Sequence, residues 1–183
     1  MNYLLQTIAT NRLKIRKLKP SDLQDIFEYS SNDDAVSLLS WGPHKSLQES
    51  KNYLDGVLEN YKKESPSNIV WGIELLESNK LIGVVRAFNY SEVSSKIELS
   101  YILNPVFQGK GFMKEALNAI INLLFGSGDI NRIQAHCSVD NDSSFNLLLS
   151  LKFKKEGHLR FFWKIKGVFK DTYILSKIKT LDS

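Results

Sequence analysis

The sequence predicts an α+β fold, a mixed but mostly antiparallel central sheet flanked by helices, in the order βααβββαβαββ. Three observations lead to it. Three strand-like runs follow one another between Ile69 and Leu103. The third feeds a turn with two glycines, and that turn opens an amphipathic helix. The chain closes on two long β-rich runs either side of Lys166-Gly167. Consecutive strands with short connections pair antiparallel, whereas a strand reached through a helix can pair parallel. At 183 residues the length is that of one domain, spanning 1–183.

Each element has its own signal. Arg12 to Leu18 alternates apolar Leu13 and Ile15 with basic partners, as a half-buried strand does. Pro20-Ser21-Asp22 opens a helix, with Ser21 or a neighbour as cap and Leu23, Ile26 and Phe27 on the apolar face. Residues 31–45 are irregular. Ser46 caps a second helix, with Glu49 at the reciprocal capping-box position. Ile69 to Leu76 and Leu81 to Tyr90 are strands joined by the turn residues Glu77-Ser78-Asn79-Lys80. Lys96 to Leu103 is the third strand, ended by Asn104-Pro105, since proline cannot donate to a sheet ladder. Apolar residues at 116, 117, 120, 121, 124 and 125 mark one face of the next helix. Gly126-Ser127-Gly128-Asp129 breaks it. Arg132 to Val139 is a strand, Asn141 to Leu151 a helix, and Phe153 to Trp163 with Val168 to Ile178 a terminal hairpin.

Composition narrows the classes. Hydrophobic residues make up 43%, which suits a folded core. No apolar run approaches the roughly 20 residues that span a bilayer. Met1 to Arg12 has no apolar core behind basic residues, so no secretory leader is expected. The single cysteine, Cys137, excludes an internal disulfide framework and suits a reducing cytoplasm. One cysteine and three scattered histidines give no metal-binding spacing. The net charge of +4 is unevenly placed. Residues 22–64 are rich in acids and residues 152–179 rich in lysine and arginine, so the last third could face an anionic cofactor, RNA or simply solvent.

The glycine turn reads Gln108-Gly109-Lys110-Gly111-Phe112-Met113. Its glycines let the backbone turn tightly and let a ligand approach the amides. A helix N-terminus has unpaired N–H groups and partial positive charge, which suits phosphate, and Lys110 and Lys114 add cations there. By itself this is also a plain strand-to-helix turn. It is neither the dinucleotide fingerprint nor a P-loop, because the third glycine and the Gly-Lys-Ser/Thr run are missing.

The segment Gln108-Gly109-Lys110-Gly111-Phe112-Met113-Lys114-Glu115-Ala116, behind a strand and Asn104-Pro105, resembles the acetyl-CoA-binding segment of the GNAT superfamily of N-acetyltransferases. Asn141-Asp142-Ser143-Ser144, on a helix that ends in Lys152-Phe153, is similar to that family's Asn-x-x-Ser helix and its final Gly-Phe. The nearest likeness is to the ribosomal-protein N-terminal (RimJ/RimL-type) branch. The resemblance implies a GNAT-like sheet and an acetyl-CoA-dependent transferase that moves the acetyl group to a primary amine by direct attack. A protein or peptide N-terminus is the implied acceptor. The alternatives are a small amine (polyamine, amino acid or aminoglycoside), or a catalytically silent module that binds CoA or RNA. Contact with a ribosome and a monomeric or homodimeric state are both compatible with it.

Acetyl transfer to an amine requires loss of an amine proton, donors for the tetrahedral oxyanion, and a proton or tolerance of charge at the leaving thiolate. The resemblance implies Glu98 as base, on the strand entering the glycine turn. An ordinary Glu pKa of about 4.3 makes it weak unless burial raises it or water relays the proton. Ser144 is the implied acid, since the family's more usual tyrosine position is Leu148. Coenzyme binding would use the backbone of Tyr101, Ile102 and Leu103, splayed by a bulge, then Gln108, Gly109, Lys110, Gly111, Phe112 and Met113, and Asn141 with Ser144. Asn141 and Ser144 also have a plainer reading, with Asp140 or Asn141 as the helix N-cap and Ser144 in the first turn. Leu39-Ser40-Trp41-Gly42-Pro43-His44 resembles the branch's acceptor wall, which assigns Trp41 and His44, together with Glu98, to the acceptor side. His44 is a second candidate base. Phe88, Tyr90, Phe161 and Trp163 are further candidate walls, each also readable as packing.

Overall fold

The computed structural model describes residues 2–179 except 40, 65 and 67. Eight strands form one sheet in the order β1-β2-β3-β4-β5-β6-β8-β7. They are β1 (Ile8–Ala9), β2 (Leu13–Arg16), β3 (Asn68–Leu75), β4 (Leu81–Ser91), β5 (Lys96–Leu103), β6 (Arg132–Ser138), β7 (Lys154–Ile165) and β8 (Val168–Ile178). The helices are α1 (Leu23–Ser30), α2 (Asp33–Val36), α3 (Leu47–Tyr61), α4 (Phe112–Gly126) and α5 (Asp142–Ser150). The expected order is therefore present, with β1 and the one-turn α2 added. Both additions are too short to carry a periodicity.

Every pairing is antiparallel except β5 with β6. That parallel pair is short, running from Lys96↔Arg132 to Glu98↔Gln134. Beyond Glu98 the two strands part, and a V-shaped gap opens in the middle of the sheet. The expected bulge before the glycine turn is absent. β5 stays in register with β4 from Glu98 to Leu103, and their one irregularity lies at Phe88/Ser91. The splay comes from β6 leaving β5, which sequence spacing cannot show. Close β4–β5 contact depends on Gly83, where a Cβ would stand 2.3 Å from the Ile102 carbonyl oxygen.

Alternation along the strands sorts side chains to two cores. Trp71, Ile73, Val85, Leu99 and Leu103 join α4 and α5 on one face. Val70, Val84 and Ile102 join α1 and α3 on the other. α4 buries Phe112, Met113, Ala116, Leu117, Ile120, Ile121 and Leu124. Each large side chain buried there contributes about 1.5–3 kcal/mol, which fixes the helix, and so the glycine turn, against the sheet.

Local capping follows the sequence with two differences. Ser46 Oγ accepts from Glu49 N, but the Glu49 carboxylate reaches Lys45 N at 2.9 Å rather than closing the box on Ser46. Ahead of α1 it is Asp22, in place of Ser21, that accepts a backbone N–H, from Lys19 at 2.8 Å. Asp22 is held there because Arg16 clamps both its oxygens at 2.8 Å and also bonds Glu74 at 2.7 Å. All three side chains are buried, so the cluster ties β2 and β3 to the start of α1.

Candidate active site

Two cavities of about 600 Å³ each meet at the end of β5 and share Leu39, Tyr101 and Ile102. The first is lined by the end of β5, the glycine turn and the start of α5. The second lies between α1, α3, β4 and the far side of β5. A chemical step joining ligands from the two cavities would take place at Tyr101 and Ile102.

The glycine turn is shaped by backbone conformation. Gly109 and Gly111 sit at φ +73° and +79°, and Gly111 is the N-cap of α4. A side chain is strained in that region by about 1–2 kcal/mol. The first-turn amides of α4 have no carbonyl partner in their own helix and face the cavity, so they suit an anion. Gln108 closes the strand end, its Nε2 donating to Leu103 O at 3.1 Å. Gln108, Gly109, Gly111, Phe112 and Met113 all line this cavity, as do Tyr101, Ile102, Leu103, Asn141 and Ser144. Lys110 is not in the lining. Its carbonyl accepts from Arg12 at 3.0 Å and its ammonium lies over Phe107.

Arg12 carries a role that the strand pattern concealed. It bonds Glu115 Oε2 at 2.7 Å, caps the Lys110 carbonyl and lies 4.4 Å from the Phe112 ring centroid. Burial alone would raise the Glu115 carboxyl, but bonds from Thr10 and Arg12 outweigh it and hold it below the usual range. The β1–β2 turn thus latches the glycine turn across a long sequence separation.

Asn141 is the N-cap of α5, its Oδ1 accepting from Ser144 N at 3.0 Å, so the helix-cap reading holds. The Ser144 hydroxyl takes no part in that cap; it lies 2.8 Å from Tyr101 Oη and also bonds the Cys137 thiol. Burial pushes the Tyr101 phenol well up, which keeps it protonated. Leu148 is core. A tyrosine hydroxyl therefore reaches this point from β5 rather than from α5. Lys152, in place of glycine, takes φ +67° and closes α5 with Lys152 N to Leu149 O and Phe153 N to Leu148 O.

The second cavity is walled by aromatic and small side chains, among them Trp41, His44, Tyr53, Phe88 and Trp163. Trp41 and His44 rings lie 5.5 Å apart. His44 Nδ1 is 2.7 Å from Ser50 Oγ, and burial lowers its pKa below 6.5, so the imidazole is neutral at pH 7. Burial lifts the Tyr53 phenol to about 12 against the opposing charge of Arg86. Trp163 reaches the wall because β7 bulges between Leu159 and Trp163, with Phe161 at φ +50° and its N–H bonded to Asp171. Phe161 itself points to solvent and Tyr90 packs on the core, so neither is a wall. Ser40 lies outside the described residues.

Glu98 is not brought to either cavity lining. Its carboxylate accepts from Gln134 Nε2 at 2.6 Å and Asn89 Nδ2 at 3.1 Å, with His136 Nδ1 at 3.8 Å. It stands at the closed end of the gap, where β5 and β6 still pair. Among the described residues no cluster of His, Cys, Asp and Glu is arranged to hold a metal ion, and no helix is long and apolar enough to cross a membrane.

The sequence profile of the acetyltransferase (GNAT) domain matches residues 12–154 of this chain. The chain belongs to the GNAT acetyltransferase family. It is an acyltransferase, and the relatives of this acetyltransferase include two with different named acceptors. The [ribosomal protein uS5]-alanine N-acetyltransferase of Escherichia coli is 29% identical over 96% of this chain and 91% of its own length. The spermidine N(1)-acetyltransferase of Vibrio cholerae is 27% identical over 90% and 94%. Among solved structures, a ribosomal L7/L12 alpha-N-protein acetyltransferase in complex with coenzyme A superposes with TM-score 0.84 at 22% identity, over 94% of this chain and 98% of that one. This last likeness is one of fold. The mixed, mostly antiparallel sheet flanked by helices is thus the expected architecture.

Proposed function

We propose that the chain transfers an acetyl group from acetyl-CoA to the α-amine at the amino terminus of a protein or peptide, by direct attack in a ternary complex, in a reducing cytoplasm. The observation that carries this reading is the lining of the second cavity. It is open, largely aromatic and free of carboxylates among the described residues, and its one formal charge is the cation Arg86. A polyamine acceptor would call for carboxylates there. The acids of residues 22–64 do not supply them: Asp22 is clamped by Arg16, and Asp25 and Glu28 bond Lys80.

In this reading the coenzyme occupies the first cavity, its pyrophosphate on the amides from Gly109 to Met113 and its pantetheine arm along the β5 backbone from Tyr101 to Leu103, beside Asn141. β6 has left that side of β5, so no strand competes for those groups. The thioester then meets the acceptor at Tyr101 and Ile102. Holding the two in line supplies much of the rate. His44 lines the acceptor cavity, and with its proton on Nδ1 toward Ser50 its Nε2 accepts the amine proton. Glu98 is the second reading for the base, working through water, because it shares the acceptor-facing side of β5 with Ser100. Ser144, supported by the Tyr101 hydroxyl, donates to the departing thiolate.

The test is thiol release from acetyl-CoA with short peptides of differing N-termini, spermidine and an aminoglycoside, with CoA binding followed by thermal shift. Peptide turnover with little on spermidine is the expected result. Turnover confined to small amines would overturn the N-terminal assignment, and CoA binding without any turnover would favour a silent module.

A further inference from the structure

Arg86 is an unneutralised cation in an otherwise uncharged cavity. It stands on β4 opposite Ser100 of β5, on the face shared by Val84, Phe88 and Ile102. Its guanidinium lies 4.7 Å from the Phe88 ring centroid. Among the described residues it has no carboxylate or hydrogen-bond partner. Three other arginines contrast with it: Arg12 pairs with Glu115, Arg16 with Asp22 and Glu74, and Arg132 with Glu156.

Carboxylates on the neighbouring elements are otherwise engaged. Glu98 is next along the same face of β5, but its oxygens accept from Gln134 and Asn89. Glu49 accepts from Lys45 N and Asp33 pairs with Lys166. A guanidinium presents a planar fork that fits a carboxylate through two hydrogen bonds, and the aromatic ring beneath it holds that fork in place.

We infer that Arg86 selects the acceptor, and that the preferred acceptor is a peptide with an acidic side chain close behind its reacting amine. The inference rests on the N-terminal reading above. The reacting centre is at Tyr101 and Ile102, and Arg86 lies across from the residue before them. An extended peptide advances about 3.4 Å per residue. An acid at the second or third position therefore reaches the guanidinium while the amine meets the thioester. A lysine at that position, or the second ammonium of a polyamine, meets like charge instead.

The experiment compares the tripeptide amides Ser-Asp-Ala, Ser-Asn-Ala and Ser-Lys-Ala, with spermidine, on the wild type, Arg86→Gln and Arg86→Glu. Thiol release gives kcat/KM. Quenching of the cavity tryptophans Trp41 and Trp163 with CoA present gives peptide affinity independently of turnover. The CoA thermal shift reports that each variant is folded. Arg86 is exposed, so in the wild type the Asp peptide should exceed the Lys peptide about three- to five-fold at low salt, the range of a solvent-screened ion pair. Arg86→Gln should bring the ratio close to one, and Arg86→Glu should invert it. Equal values for all three peptides, or an Asp preference that survives Arg86→Glu, would overturn the role of Arg86 and leave the N-terminal reading standing. Turnover of spermidine alone, with no quenching by the Asp peptide, would remove both.

Discussion

The two cavities that meet at Tyr101 are built by different means. The side proposed for the coenzyme is made of main chain: left-handed glycines, the first-turn amides of α4, and a strand whose neighbour has departed. Its parts are contiguous in sequence from Tyr101 to Met113, with α5 added. The side proposed for the acceptor is made of side chains drawn from α1, the loop before α3, α3, β4, β5 and a bulge in β7. Main-chain sites tolerate changes of side chain but not of conformation. Side-chain sites behave in the opposite way, and a family can alter its acceptor while keeping its donor.

The sharpest way to break this division is to loosen the acceptor side from beneath. The Arg16–Asp22–Glu74 cluster holds the start of α1, which carries Tyr29 and Ser30 into the acceptor wall. Glu74→Gln should cost about 3 kcal/mol, since it leaves a buried cation short of a partner. That corresponds to a fall in Tm on the order of 10 °C. Burial pushes the Glu74 carboxyl up, but the Arg16 bond and charge outweigh it and hold it below the usual carboxylate range. Its stabilisation is therefore complete above about pH 4.5 and is lost as pH falls through the lower folded-state value. The Tm gap between wild type and variant should narrow in acid; a gap that widened there would contradict the ion pair as its source.

His44→Gln comes next. Loss of a general base should lower kcat about 100-fold while CoA affinity, set across the gap, holds. In the wild type kcat/KM should fall on the acid side below pH 6.5, because burial has lowered the imidazole pKa. A variant retaining that acid limb would return the base to Glu98, and Glu98→Gln in the same assay would then show the larger loss.

The coenzyme side should respond to conformation instead. Gly111→Val forces a β-branched residue to φ +79° at the start of α4. CoA affinity should weaken about ten-fold, with acceptor KM little changed at saturating coenzyme. Isothermal titration reads this directly, and an unchanged affinity would mean that the amides of the turn do not carry the phosphates. The smallest effect is a gain. Lys152→Gly relieves a left-handed lysine and should add about 1 kcal/mol to stability, seen as a rise of a few degrees in Tm. No rise would indicate that the Lys152 side chain contributes packing that offsets the strain.

Sequence alone determined the local elements and the form of the glycine turn, because both are written in short-range pattern. Alternation placed β3, β4 and β5 within a residue or two of their observed ends. Ser46 and Asn141 were legible as caps, and the glycine turn was legible as a helix N-terminus shaped for an anion. Tertiary structure decided what required residues far apart to meet. The gap arises where β6 leaves β5 after Glu98, and nothing in either strand marks that point. The same parting left Glu98 at the closed end, and packing of the loop before α3 put His44 in the cavity wall. Arg12 and Glu115, Tyr101 and Ser144, and the unpaired charge of Arg86 emerged only once the sheet was assembled. The physical reason is that backbone conformation is set by neighbours in the chain, whereas burial, pairing and the fate of a charge are set by neighbours in space.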